Sequence, residues 1–134
     1  RMVQLAWIYC DSRGNRLETN DFIIKPENYV IPLEASRVHG ITTEKAFSDG
    51  EDLQKILSRF NELIDQSDYI VAHNISFDEK ILGAELLRKG IRSNFKRKPK
   101  LCTMKASTNY CKLPGTYGFK WPNLSELHIK LFGK

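Results

Sequence analysis

The run VAHNISFDEKIL, from Val71 to Leu82, limits the fold more than any other stretch, because within it a hydrophobic strand gives way to a helix. Tyr69, Ile70, Val71 and Ala72 are apolar with β-branched members and read as a short buried strand. Phe77, Ile81, Ala84 and Leu87 then recur at helical spacing. The junction falls at His73–Ser76, where Asn74 or Ser76 can cap the helix by accepting a hydrogen bond from an unpaired helix amide. Asp78 lands in the first turn, where the helix dipole favours a negative charge. Open α/β sheets bind ligands at the carboxyl edge of their strands, and that is where this carboxylate would face. Two readings of Asp78 stand side by side: a complement to its own helix dipole, or one ligand of a metal. One carboxylate alone is not a metal site.

At 134 residues the chain is one domain of ordinary size, with 41% hydrophobic content to build a core. No apolar run approaches the roughly 20 residues that span a bilayer, and the amino terminus lacks a signal-peptide pattern. A cytoplasmic protein without membrane contact is expected. Cys10, Cys102 and Cys111 are odd in number and never form CxxC, which argues against a disulfide framework or zinc knuckle. Cys10 and Cys102 read as small buried hydrophobes. The net charge of +5 suits a polyanionic partner. Between Arg88 and Lys100 lie Arg88, Lys89, Arg92, Lys96, Arg97, Lys98 and Lys100 without an acid, a loop that is either a solvated connection or a phosphate contact.

Along the chain, Val3–Tyr9 and Asp21–Lys25 read as two strands of a hairpin around a turn at Asp11–Arg16. A short helix begun by Pro32 runs through Val38 to end near Gly40, and Thr42 or Thr43 starts a turn before Asp49 and Gly50. Leu53, Ile56, Leu57, Phe60, Leu63 and Ile64 follow one helical face. After the basic loop, Leu101–Met104 is a candidate strand, Cys111–Pro122 an irregular connection, and Asn123 or Ser125 opens a last helix with Leu124, Leu127, Ile129 and Leu131 apolar. Trp121 reads as a packing anchor for that helix, with stacking on a base as the alternative. The order of elements indicates an α/β domain with a mixed sheet.

Taken in order, VQLAWIYCDSRGN, IKPENYVIPLEASRVHGIT, VAHNISFDEKIL, LCTMKAS and KWPNLSELHIKLFG resemble the DEDDh family of 3′→5′ exonucleases, within the ribonuclease H-like superfamily. The likeness covers nearly the whole chain. It implies a ribonuclease H-like mixed β-sheet flanked by α-helices, and an enzyme that releases nucleoside monophosphates from single-stranded 3′ ends, DNA before RNA. It implies that Asp78, in HNxxFD, is a catalytic metal ligand for Mg²⁺ or Mn²⁺, hard cations that prefer oxygen. Val38, His39, Asn74 and Phe77 would hold the terminal nucleotide, and Glu34 would reach its sugar. A DNA polymerase subunit is the partner that a proofreading role implies.

The same resemblance implies a DxE motif on a strand before Arg1 and an HxxxxD motif after Lys134. His128 does not supply the latter, because Gly133 stands five residues on. The expectation is therefore an interior portion, 1–134, of an exonuclease domain, incomplete at both ends and inactive as it stands. In such a domain a central strand would be lacking, which leaves strand edges unpaired. The alternative is a non-catalytic nucleic-acid-binding or interaction domain of the same fold.

Overall fold

The computed structural model describes residues 1–134. Asp11 makes the first turn: its Oδ1 accepts from the amides of Arg13 and Asn15, both at 2.9 Å. Strand β1, Gln4–Cys10, thereby folds back on β2, Arg16–Ile23, in antiparallel register from Gln4 opposite Ile23 to Tyr9 opposite Glu18. β2 begins earlier than its apolar residues suggest, because cross-strand polar contacts extend the pairing. Trp7 Nε1 donates to Glu18 at 3.2 Å, and Gln4 Nε2 donates to Asp21 at 2.7 Å.

Three helices follow. Helix α1, Leu33–His39, starts after Pro32, whose fixed φ suits a helix entry, and stops at Gly40 in the left-handed conformation with φ +74°. The expected turn after Thr42 is a full helix, α2, Thr43–Asp49, because the Thr42 hydroxyl accepts from Lys45 N at 3.1 Å and caps it. Asp52 caps α3, Leu53–Gln66, in the same way, and this helix buries Leu53, Ile56, Leu57, Leu63 and Ile64 as its spacing predicts.

Strand β3, Ile70–Ala72, pairs in parallel with β4, Lys100–Cys102, and helix α4, Ile75–Arg88, is the crossover between them. The apolar face of α4 differs from the one read from spacing. Ile75, Leu82, Glu85 and Leu86 are buried, whereas Phe77 and Leu87 are exposed. Tyr69 and Val71 are likewise exposed and not buried strand residues. The short α5, Thr103–Ala106, and α6, Thr108–Cys111, lead to a two-rung hairpin, β5, Pro114–Gly115, and β6, Gly118–Phe119, in place of the irregular connection expected there. Helix α7, Leu124–Phe132, opens on a reciprocal cap between Asn123 and Glu126. It buries Leu127, while Leu124, Ile129 and Leu131 face outward, contrary to expectation. Trp121 is exposed and Pro122 beside it is buried, so the anchor of the last helix is the proline.

The main core joins Met2 and Ile24 of the hairpin region to Ile56, Leu57 and Ile64 of α3, Leu82 and Leu86 of α4, and Phe95. The sheet is divided: β1 pairs only with β2, and β3 only with β4. Between the two pairs lies a cleft of about 770 Å³ in which 23 of 29 lining residues are hydrophobic, drawn from both β1 and β3. That cleft explains the exposed residues of the β3 region. Cys10 is exposed and Cys102 partly so, while Cys111 is the buried cysteine. No helix is long and apolar enough to cross a membrane.

Candidate active site

The β3–α4 junction turns sharply at Asn74, which adopts the left-handed conformation with φ 60° and ψ 54°. Asn tolerates that region better than other residues with a side chain. Its carbonyl accepts from Phe77 N at 3.0 Å, and its side chain takes the Ser76 hydroxyl at 3.3 Å. Asn74 therefore occupies the cap position, but its side chain does not cap the helix amides as expected.

His73 fastens this junction to the far end of the chain. Its Nε2 lies 2.8 Å from the Pro122 carbonyl, and its Nδ1 lies 3.0 Å from the Thr103 hydroxyl. A carbonyl only accepts, so Nε2 carries a proton, and the neutral ring takes the threonine hydroxyl at Nδ1. His73 thereby orders the strand end.

After the tight turn Phe77 and Asp78 line the cleft, as His39 of α1 also does. Phe77 is 62% exposed, so it is free to contact a ligand and is not a core residue. The Ile41 amide donates to His39 Nδ1 at 3.0 Å, which leaves Nε2 to carry the proton of the neutral ring. Loss of solvent around Asp78 raises its carboxyl above the ordinary range, against the pull of its own backbone amide. The groove walls remove water from around this carboxylate even though the residue is open to the groove.

Glu34 and Val38 lie on α1 outside the cleft lining, and Val38 is 88% exposed. Asn74 is not part of the cleft lining, whereas His39, Phe77 and Asp78 all line it. Among the residues of this chain, no group of three His, Cys, Asp or Glu side chains is placed to hold a metal ion. Asp78 is the carboxylate of the cleft, and it has no companion there.

The basic loop is less available than its composition suggests. Arg88 pairs with Glu85, Lys89 with Glu27, and Lys98 donates to the carbonyls of Asp65 and Ser67. Lys100 lies over the Phe95 ring at 4.9 Å. Arg92, Lys96 and Arg97 remain directed to solvent.

One residue of the junction, Cys102, differs from its reading as a small buried hydrophobe. Loss of solvent pushes the Cys102 thiol up, but the backbone amides of Lys105, Ile75, Asn74 and Met104 outweigh it and hold the thiol below the usual range. The signal was its place at a strand end just before a helix start, beside Ala72 in the parallel register.

With this geometry in hand, comparison places the chain. A family model described as Exonuclease, of the RNase T group, matches residues 1–127. E. coli Exonuclease I in complex with a dA16 oligonucleotide superposes with a TM-score of 0.75 at 20% identity, over 93% of this chain and 31% of that one. A product-bound exonuclease I gives a TM-score of 0.71 at 22% identity, over 92% of this chain and 30% of the other. An ExoI complex with SSB-Ct gives 0.69 at 21% identity, over 92% and 29%. No curated protein sequence matches the chain. The fold is thus α/β and ribonuclease H-like, as the resemblance implies. The chain belongs to the exonuclease family, DEDDh type, and spans about 30% of the length of the exonuclease I chains it superposes on.

Proposed function

We propose that this domain serves a 3′→5′ exonuclease acting on single-stranded DNA ends, with the terminal nucleotide seated at the β3–α4 junction. The observation that carries this reading is that His39, Phe77 and Asp78 line one cleft, with Phe77 and Asp78 following directly on the left-handed turn at Asn74. A terminal base has an aromatic ring to stack on in Phe77. His39 Nε2–H and the Asn74 amide supply donors to sugar or phosphate oxygens. Exonuclease I structures with bound oligonucleotides support the substrate class. Glu34 and Val38, on the adjacent α1, belong to the same proposal for the sugar and base edge.

The divalent ions implied by the resemblance, Mg²⁺ or Mn²⁺, do not fit the donors of this chain. Asp78 supplies one carboxylate, and hard cations of this kind take several oxygen ligands. No hydrolytic step is therefore derived from these residues alone. Asp78 is proposed as one ligand of a site whose other ligands lie outside them. The second reading is a nucleic-acid-binding domain of exonuclease ancestry without catalysis, which would use the same cleft and the exposed Phe77.

The deciding experiment is digestion of a 5′-labelled single-stranded DNA by the full-length protein in Mn²⁺, with and without chelator, beside Asp78→Ala. A ladder shortening one nucleotide at a time from the 3′ end, lost in the variant and with chelator, is expected. Binding without cleavage would establish the second reading. Internal cuts, or shortening indifferent to Asp78, would remove the first.

A further inference from the structure

We propose that the β5–β6 hairpin, Trp121 and the surrounding lysines form a second binding face for single-stranded nucleic acid, taking the nucleotides upstream of one seated at the β3–α4 junction. The proposal rests on the terminal-nucleotide reading above and extends it.

Aromatic exposure is the first observation. Every residue from Pro114 to Trp121 is exposed, and among them stand Tyr117, Phe119 and Trp121, with Tyr117 at 101%. The rings sit on ordered backbone: Lys120 N donates to Leu113 O at 2.9 Å just below the two-rung hairpin. Three rings in five residues contribute nothing to the core and present apolar faces to water. Every base has a π-face, so stacking on such rings serves any sequence.

Charge is the second observation, and it selects the occupant. Residues 91–134 hold ten lysines and arginines against one acid, Glu126, whereas residues 1–90 hold eleven against fifteen. The final third of the chain is therefore net +9 and the rest net −4, which together give the formal +5. Lys105 Nζ stands 5.7 Å from the centre of the Trp121 ring, near the outer limit of a cation–π contact, so its ammonium can still meet a phosphate. Exposed Lys112 has no ion pair, and Lys120 shares the one acid, Glu126, at 2.8 Å. Exposed rings with lysines among and beside them suit a strand of bases and phosphates.

Continuity is the third. The His73 ring lies 2.8 Å from the Pro122 carbonyl, and His73 directly precedes Asn74. Trp121, the neighbour of Pro122, is thereby tied to the junction that turns at Asn74.

Fluorescence anisotropy with fluorescein-labelled dT15 and dT3, in chelator so that neither is cut, tests the face on the full chain. The unaltered protein is expected to bind dT15 at least about tenfold more tightly than dT3. Trp121→Ala and Tyr117→Ala should each weaken dT15 about fivefold or more while leaving dT3 unchanged. Lys105→Gln should lower the slope of log affinity against log salt by about 0.7. Tyr117 is wholly exposed, so its variant should melt with the parent and separates binding from folding. Equal affinity for the two oligonucleotides, or variants that bind dT15 as the parent does, would overturn the proposal; a face that seats another protein would give that result. If dT3 is bound and dT15 gains nothing, only this face fails. If neither is bound, the terminal-nucleotide reading fails with it.

Discussion

Glu85 is 1% exposed, and its Oε1 alone takes Arg1 Nε at 3.1 Å, Met2 N at 3.3 Å and Arg88 Nη1 at 2.7 Å, while Oε2 is buried without a partner. A buried carboxylate persists only where donors replace its water. This one ties the entry of β1 to α4, the helix that carries Asp78. Glu85→Ala is expected to cost about 1–3 kcal/mol, because the Met2 amide loses its acceptor inside the core while both arginines turn to solvent. Urea unfolding measures it, and an unchanged midpoint would show that the tie is not needed. Glu85 could not be read from the sequence, since a helical glutamate is usually solvated and only tertiary packing buries it. The placing of Asn74 at the cap position and Asp78 in the first turn of α4 was legible from local turn chemistry, whereas His39 was singled out only by the ordered motifs. Phe77 was placed on the apolar face because spacing alone does not show that a cleft lies over the first turn of α4. At the site, Asn74→Ala and Phe77→Ala should each weaken binding of a 3′-terminal oligonucleotide about tenfold, from one hydrogen bond to the ligand and one stacked base. An oligonucleotide titration that finds parent affinity in both variants would remove them from the pocket.

At the scale of elements, capping signals were dependable in part: Asn123 opens α7 as read, Thr42 caps a helix where a turn was expected, Asp52 was not singled out, and the Asn74 side chain does not cap α4. Thr42, Asp52 and Asn123 all accept the amide three residues on, and α2, α3 and α7 begin where those residues stand. Apolar spacing was less dependable for α4 and α7, because a stripe names a face only where something packs on it. Helix α7 depends on its cap more than on burial, since Leu127 is its one buried residue. Asn123→Ala should therefore destabilise the chain by about 1 kcal/mol. Glu126 completes the cap, and the Asn123 amide, then Lys120, hold its carboxyl below the ordinary range. A lowered carboxyl contributes stability that is present above its unfolded value and is lost as pH falls through the folded one. Thermal melts between pH 6 and pH 3 should show a loss on the acid side that is smaller in Glu126→Gln, which keeps the cap geometry without the charge. Equal acid sensitivity in the two proteins would place the loss elsewhere.

For the whole molecule, surface area decides what the sequence pattern could not. A compact monomer of this mass exposes about 7,200 Å², whereas this chain, at 15.5 kDa, exposes 9495 Å². The divided sheet is one source of the excess: β1 and β3 line an apolar cleft and are not joined across it. The elements were legible one by one, because hairpin, crossover helix and caps are local. Their assembly was not, since alternation along β1 and β3 tells which residues are apolar but not what lies opposite. Two measurements follow from the area. The urea m-value should fall below that of an ordinary 134-residue domain, because m scales with the surface newly exposed on unfolding and much of that surface is exposed already. The native chain should also bind the dye ANS at the cleft while still unfolding cooperatively, with Ile8→Lys and Val71→Lys, both on exposed cleft positions, dimming the dye without lowering the melting temperature. A dark native state with an ordinary m-value would mean that β1 and β3 close on each other in solution, and the cleft that His39, Phe77 and Asp78 line would then need another geometry.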